Sequence, residues 1–265
     1  MPSPMTTLEI QVDLAYAVPK PAEMLLQIEA AHGDEQTVRS ARIDLDGARH
    51  LTADPGEADF GPRARFLVDD TVTCRYRATV EITRGEGEYA NMPHTALTGL
   101  PKETLRYLVP SRYCLPSNFV PVLASEFSDL RGGALIAACH DWLASEIRYV
   151  PGASTSDTTA WDTYRDRQGI CRDYAHVLIS MARARGIPAR FVACFAPDVS
   201  PQDFHAVAEV WLGGRWHLID PTGMASASET ARIAVGLDAA DVAFLTIFGR
   251  ADMVHQSVEI RRLLH

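Results

Sequence analysis

Apolar and polar residues alternate along two stretches in the N-terminal third of the chain. The apolar positions of the first stretch are Leu8, Ile10, Val12, Leu14 and Tyr16. Residues 72–82 repeat the pattern, and a period of two is typical of a strand with one buried face. Residues 24–31 are apolar without a clear period and fit either a strand or a helix. Asp46-Gly47 lies between two short runs and predicts a hairpin turn.

Residues 8–82 therefore predict several strands joined by turns, as in a small β-sandwich or barrel. The polar, irregular stretch from residue 83 to 102 marks a domain boundary. Helical periodicity follows over residues 135–147 and again from Cys171 to a stop at Gly186. We thus expect an α+β protein with a β-rich domain over residues 1–100 and a second domain over residues 101–265.

The C-terminal domain also contains predicted strands. Two apolar-rich runs flank Gly213-Gly214 and predict a hairpin with a two-residue turn. In that register His205 lies opposite Thr222, and position 220 shares the face of position 222 because side chains alternate along a strand. His205 and Asp220 are then diagonal neighbours within hydrogen-bonding reach. Alternation returns over residues 233–235, 242–247 and 254–264, which we expect to extend the same sheet.

Composition narrows the class of protein. Of the 265 residues, 47% are hydrophobic and 22% are charged, as in a soluble globular protein. A net charge of −9 without a basic run argues against nucleic-acid or membrane-surface binding. The five cysteines form no Cys-x-x-Cys pair and have no zinc-ligand spacing, which favours a reducing compartment. Because the N-terminus also has no signal-peptide pattern and no run could span a bilayer, we expect a cytoplasmic protein. No EF-hand loop or other metal motif is present, so we expect neither a metal nor a cofactor.

Cys171 is the candidate nucleophile, since it opens a predicted helix directly after a glycine-containing turn. The unpaired N–H groups and positive dipole end of a helix N-terminus favour the thiolate form of a cysteine. A buried structural cysteine is the alternative, because most free cysteines are small core residues. Together with His205 and Asp220, Cys171 could form a set in which the thiolate attacks an acyl carbon, the imidazole transfers the proton and the carboxylate orients the ring.

Four segments in this region resemble the bacterial transglutaminase-like superfamily, the putative cysteine proteases with a papain-like core. The segments are Gly169-Ile-Cys-Arg-Asp-Tyr-Ala-His176, Ala182-x-x-x-Gly-Ile-Pro-Ala-Arg190, His205-Ala-x-Ala-Glu-Val210 and Trp216-x-x-Ile-Asp-Pro-Thr222. They follow the family's order and spacing across residues 130–225. The resemblance implies a nucleophile-bearing helix packed on an antiparallel sheet, with Cys171 as nucleophile, His205 as base and Asp220 as orienting carboxylate. Val207 stands where the family commonly has an aromatic residue, which we expect to reshape the substrate cleft.

The implied reaction forms a thioester on Cys171 from a peptide, isopeptide or other amide, so the expected partner is a peptide or protein substrate. Attack of water gives hydrolysis, attack of an amine gives transglutaminase-type transfer, and the sequence leaves both open. The backbone N–H of Cys171 is one expected oxyanion donor; Gln168 is a candidate for the second, with a solvated turn residue as its alternative. A non-catalytic binding protein that retains the fold is the alternative of another class, and the oligomeric state is left open.

Overall fold

The computed structural model describes residues 5–57 and 60–263. In chain order, its strands are β1 (Thr6–Ala17), β2 (Ala22–Leu26), β3 (Gln36–Asp46), β4 (Arg49–Asp54), β5 (Arg63–Val68), β6 (Thr71–Ile82), β7 (Arg148–Tyr149), β8 (Gln168–Gly169), β9 (Ala189–Phe195), β10 (His205–Leu212), β11 (Arg215–Ile219), β12 (Ala231–Gly236), β13 (Leu245–Phe248) and β14 (Asp252–Leu263). The helices are α1 (Val120–Glu126), α2 (Gly132–Glu146), α3 (Ala160–Asp166) and α4 (Cys171–Ala184). Short 3₁₀ helices occupy Leu97–Gly99, Lys102–Leu108, Pro116–Phe119 and Ala227–Glu229.

The N-terminal strands form two antiparallel sheets. One has the order β14-β1-β6-β3 and the other the order β13-β2-β5-β4. The alternating residues of β1 and β6 point their apolar side chains into one hydrophobic core that both sheets share. The strands expected over residues 8–16 and 72–82 are therefore confirmed, and the undecided stretch at residues 24–31 begins as strand β2.

The hairpin predicted at Asp46-Gly47 is wrong. Strand β3 pairs with β6 while β4 pairs with β5, so the turn between β3 and β4 carries the chain from one sheet to the other. Gly47 has a φ of +86°, and a Cβ at this position would lie 2.2 Å from the carbonyl oxygen of Thr71. Glycine is needed there because the backbones approach closely and φ is positive. The Asp-Gly pair correctly indicated a turn, but turn chemistry alone does not choose a strand's partners.

A third antiparallel sheet, with the order β11-β10-β9-β12, supports helix α4. Helix α4 contacts β9 and β10 on one side and helices α2 and α3 on others. As a result most of its side chains are buried, and every residue of β9 is buried as well. The helices predicted over residues 135–147 and from Cys171 are confirmed as α2 and α4. The α+β core is thus the predicted one, with the Cys171 helix packed on an antiparallel sheet.

The C-terminal strands divide between the sheets. Strand β12 extends the core sheet as expected, but β13 pairs with β2 and β14 pairs with β1. For residues 242–247 and 254–264 the expected extension of the core sheet is therefore wrong, because alternation reports a buried face and not its partner. Leu264, the last residue of that prediction, lies outside the described residues. The division into 1–100 and 101–265 stays a prediction.

Candidate active site

Helix α4 begins at Cys171, and the side chain of Asp173 fixes the backbone just before it. Oδ2 of Asp173 accepts a hydrogen bond from the N–H of Ile170 at 2.9 Å. Asp173 is fully buried and forms an ion pair of 3.0 Å with Arg172. Glycine at position 169 provides the space for the Asp173 side chain, since a Cβ there would lie 2.8 Å from Cβ of Asp173. The first turn of α4 is therefore held in place from inside the protein.

The hairpin of β10 and β11 has the register predicted from Gly213-Gly214. Leu212 pairs with Arg215, and further along the strands Ala208 pairs with Ile219. His205 begins β10 and is completely buried, with Nε2 lying 2.9 Å from Oδ2 of Asp220. The diagonal contact expected between His205 and Asp220 is thus present.

The carboxylate of Asp220 is surrounded by hydrogen-bond donors. Oδ1 accepts from the backbone N–H of Thr222 at 2.9 Å and from its hydroxyl at 2.7 Å, and Oδ2 accepts from the N–H of Ala225 at 2.7 Å. Burial alone would raise the pKa of Asp220, but the hydrogen bonds from His205 and Thr222 lower it below its ordinary value. Asp220 is therefore ionised at neutral pH, so Nε2 of His205 must be the donor in their contact.

The other ring nitrogen of His205 is left for the thiol of Cys171. Within the described part of the chain, Nδ1 of His205 is buried and has no hydrogen-bond partner. Burial acts to lower the pKa of His205, but the interactions with Asp220 and with the nearby Cys171 outweigh it and raise the pKa to about 9. The structure thus brings together all three residues that the sequence singled out, with the imidazole between the thiol and the carboxylate.

Tyr149 is a neighbour of Cys171 that the sequence did not identify. Burial, the charge on Cys171 and the contact with its side chain raise the pKa of the Tyr149 hydroxyl to about 12, although a hydrogen bond with the Cys171 backbone acts to lower it. The parallel pairing of β7 with β8 sets Tyr149 beside Gly169 and Arg148 beside Gln168. No local pattern predicts this, because Tyr149 lies more than twenty residues before Cys171. Gln168 itself is half-buried in β8, and its role as an oxyanion donor stays a prediction.

Cys171 and His205 line a cavity of about 750 Å³, a size suited to a small organic ligand or a short peptide segment. Its walls come from α4, from β10 and from the N-terminal sheets, which contribute Leu14, Tyr16 and Leu26. The site is therefore completed by the β-rich part of the chain. Among residues 5–57 and 60–263, no three His, Cys, Asp or Glu side chains are grouped so that they could share a metal ion. In the same ranges no helix is long and apolar enough to cross a membrane.

Comparison with known proteins agrees with this geometry. Residues 124–221, which include all three side chains, match the model of the transglutaminase-like superfamily. This part of the chain is therefore a transglutaminase-like segment, as the sequence segments indicated.

Two relatives define how far the likeness extends. An uncharacterised protein of Mycobacterium leprae is 32% identical over 120 residues, which are 42% of this chain and 42% of that protein. The match therefore spans less than half the length of that relative. The crystal structure of a putative cysteine protease from Cytophaga hutchinsonii is 28% identical and superposes with a TM-score of 0.91 over 99% of this chain and 92% of that chain. The β-rich N-terminal part is included in this superposition, which confirms the predicted fold class.

Proposed function

We propose that the protein is a thiol-dependent hydrolase that cleaves a peptide, isopeptide or other amide through a thioester on Cys171. One observation carries the proposal: the buried imidazole of His205 lies between the Cys171 thiol and the ionised Asp220, in a cavity large enough for a substrate. The transglutaminase-like segment supports the same chemistry, as does the likeness to the Cytophaga hutchinsonii protein, itself a putative cysteine protease.

The first half of the reaction makes the thioester. With a pKa of about 9, His205 is protonated at neutral pH and holds the proton that the Cys171 thiol gives up. The thiolate attacks the amide carbon to form a tetrahedral oxyanion. The imidazolium then passes its proton to the amide nitrogen, the C–N bond breaks and the amine leaves. Asp220 stays ionised throughout and stabilises the positive charge on the ring.

The second half releases the acyl group. Neutral His205 takes a proton from water through Nδ1, and the resulting hydroxide attacks the thioester carbon. The C–S bond breaks, the carboxylic acid leaves and the Cys171 thiolate and His205 imidazolium are restored. The N–H groups at the start of α4 support the oxyanion in both halves, and Tyr149 joins Gln168 as a candidate for the second donor.

Transfer to an amine is the second outcome of the same thioester. It replaces water with a primary amine and forms a new amide in place of the acid. The observation in its favour is the carboxylate of Asp203 in the same cavity, a group suited to binding a second, cationic group of an attacking molecule whose neutral amine forms the new amide.

Acylation by p-nitrophenyl acetate tests the proposal without knowledge of the natural substrate. We expect a burst of p-nitrophenol and a mass increase of one acetyl group on Cys171, both absent in Cys171→Ser. Mass spectrometry of the products with and without pentylamine then separates hydrolysis from transfer, since only transfer yields N-pentylacetamide faster than the uncatalysed reaction. A wild-type protein that forms no acyl adduct on Cys171 would instead be a binding protein that retains the fold.

A further inference from the structure

Asp203 places a carboxylate in the cavity of Cys171 and His205, at the end of the loop that leads into β10. Its Oδ1 accepts two hydrogen bonds, from the N–H of Phe204 at 2.7 Å and from Nε2 of Gln256 at 2.7 Å. Both donors are neutral, and both use the same oxygen. Among the described residues, Oδ2 has neither a hydrogen-bond nor an ion-pair partner.

The negative charge of Asp203 is not matched by a cation of the described chain. Three cationic side chains line the same cavity, but each has a carboxylate of its own. Arg112 lies 3.2 Å from Asp157, Arg172 lies 3.0 Å from Asp173, and the His205 imidazolium lies 2.9 Å from Asp220. Asp203 is half-buried, and burial raises its pKa because the hydrogen bonds from Phe204 and Gln256 only partly offset the desolvation. A partly buried carboxylate without a counter-charge is costly to keep unless a ligand supplies the charge.

Many of the residues that line the cavity with Asp203 are apolar. The rings of Phe204 and Phe244 stack at a centroid distance of 4.3 Å, and Leu26 and Leu245 also line the cavity. Tyr16, also in the wall, has its pKa raised by burial and by the charge of Asp203, so its hydroxyl remains neutral. This wall therefore offers one negative charge within an apolar surface, which suits an aliphatic chain that ends in a cation.

We propose that this wall is a subsite for a primary ammonium group of the substrate, and that Asp203 is the residue that determines this specificity. The inference rests on the proposed function and names its substrate class: an amide that carries a primary ammonium on an aliphatic chain near the scissile bond. The ammonium belongs either to the acyl part or to the amine part of the amide. In either case an ammonium group pairs with the carboxylate of Asp203. Different probes are needed to tell the acyl part from the amine part.

Charge-matched thiol reagents test the subsite directly at Cys171. The rate of modification is measured with 2-aminoethyl methanethiosulfonate, which is cationic, and with propyl methanethiosulfonate, which is neutral and of similar size. The variant is Asp203→Asn, which retains an oxygen that can accept from Phe204 and Gln256. The matched control is Asp166→Asn, an exposed carboxylate of α3 whose loss changes the net charge equally. We expect the cationic-to-neutral rate ratio to fall about tenfold in Asp203→Asn and to stay unchanged in Asp166→Asn.

Two further pairs of probes distinguish the acyl side from the amine side. On the acyl side, the acylation burst with p-nitrophenyl 6-aminohexanoate is compared with that of p-nitrophenyl hexanoate. On the amine side, 1,5-diaminopentane is compared with pentylamine as the nucleophile that attacks the acetyl thioester. The side on which the cationic probe reacts faster, and on which Asp203→Asn removes that preference, is the side that carries the ammonium.

Each result decides between the proposals. A rate ratio that is the same within twofold in the wild type and in Asp203→Asn overturns the subsite while leaving the proposed function intact. An equal loss with cationic and neutral reagents also overturns it, since Asp203 then acts only by holding the chain before His205. A Cys171 that reacts with neither reagent overturns the proposed function and the subsite together. Urea unfolding of Asp203→Asn confirms that the variant compared is folded.

Discussion

Nε2 of His205 lies 2.9 Å from Oδ2 of Asp220, although the two residues are 15 positions apart in the chain. The hairpin between them explains the contact. Gly213 and Gly214 have φ values of +56° and +87°, the positive values that a tight two-residue turn requires and that glycine adopts without strain. The turn fixes the register of β10 and β11, and the register fixes the diagonal. The imidazole and its carboxylate are thus a local unit, and only the approach of α4 depends on the wider fold.

Cys171 should be the most reactive of the five cysteines. Burial raises the pKa of Cys74, Cys114 and Cys139 to about 12, and that of Cys194 well above its ordinary value. Since the thiolate is the reactive form, Cys74, Cys114 and Cys139 have a thiolate fraction of roughly 10⁻⁵ at pH 7, and the thiolate form of Cys194 is strongly disfavoured as well. We expect iodoacetamide at pH 7 to label Cys171 at least ~1,000-fold faster than the others, as measured by peptide mass spectrometry.

The labelling experiment carries its own controls. His205→Ala should slow the labelling of Cys171 because the imidazolium no longer faces the thiolate, while Cys171→Ser should leave the folded protein almost unlabelled. Labelling of Cys171 at the rate of the four buried cysteines would remove the basis of the thioester mechanism.

The imidazole of His205 should titrate near pH 9. The hydrogen bond with Asp220 and the interaction with the nearby Cys171 raise its pKa from 6.5 to about 9 despite the opposing effect of burial. In Asp220→Asn the attraction of the carboxylate is lost, so the pKa should fall by at least about one unit. Heteronuclear NMR of the imidazole nitrogens, with His205→Ala to assign the signal, measures both values. An unchanged pKa in Asp220→Asn would mean that the carboxylate does not stabilise the imidazolium.

The same pKa predicts how stability depends on pH. Because the pKa of His205 is higher in the folded state than in the unfolded state, the folded protein binds the proton of His205 more tightly than the unfolded chain does. The stabilisation is therefore complete below about pH 6.5 and is lost as the pH rises through about 9. Urea unfolding at pH 6 and pH 9.5 should show a larger drop in the free energy of unfolding for the wild type than for Asp220→Asn. Equal drops in the two proteins would assign the pH dependence to other groups.

Tyr149 and Gln168 can be separated as oxyanion donors by paired substitutions. Tyr149→Phe keeps the ring beside Cys171 and removes only the hydroxyl, whereas Gln168→Ala removes the amide from β8. Loss of a true oxyanion donor lowers the acylation rate by about 10²–10³-fold. Since the Tyr149 hydroxyl contacts Cys171, we expect the larger loss in Tyr149→Phe, as measured by the p-nitrophenyl acetate burst. A burst that Tyr149→Phe leaves unchanged and Gln168→Ala abolishes would assign the donor to Gln168.

Sequence patterns predicted the individual strands and helices far better than they predicted which of these elements pack together. Alternation identified β1 and β6, helical periodicity identified α4, and the Gly-Gly turn gave the register that joins His205 to Asp220. Each of these signals is local. The partners of β13 and β14 were missed because a strand's period does not say which sheet buries it.

The cavity and its polar residues escaped prediction for the same reason. Tyr149 reaches Cys171 through the pairing of β7 with β8, and Tyr16 reaches the cavity from the N-terminal sheets, so neither contact has a local signal. Asp203 did have a local signal in the sequence, because its carboxylate lies two positions before the candidate base His205. That signal alone could not separate a ligand-binding group from a solvated loop residue, because the distinction depends on whether a cation of the same chain lies opposite.

A buried ion cluster around Glu209, four residues after His205 in β10, should be among the main electrostatic contributors to stability. Glu209 accepts from Nε of Arg190 at 2.6 Å and from Nη1 of Arg232 at 3.1 Å, and it is almost fully buried. Glu209→Ala takes away the carboxylate that both guanidinium groups share, which should cost about 3–5 kcal/mol in urea unfolding. Asp54→Ala, which breaks an exposed ion pair with Arg65, should cost less than about 1 kcal/mol. Burial acts to raise the pKa of Glu209, but the charges of the arginines outweigh burial and lower the pKa below its ordinary value. The contribution of Glu209 to the free energy of unfolding is therefore present above about pH 4.5 and is lost on further acidification. Equal costs for the two variants would show that the buried cluster stabilises the fold no more than a surface pair does.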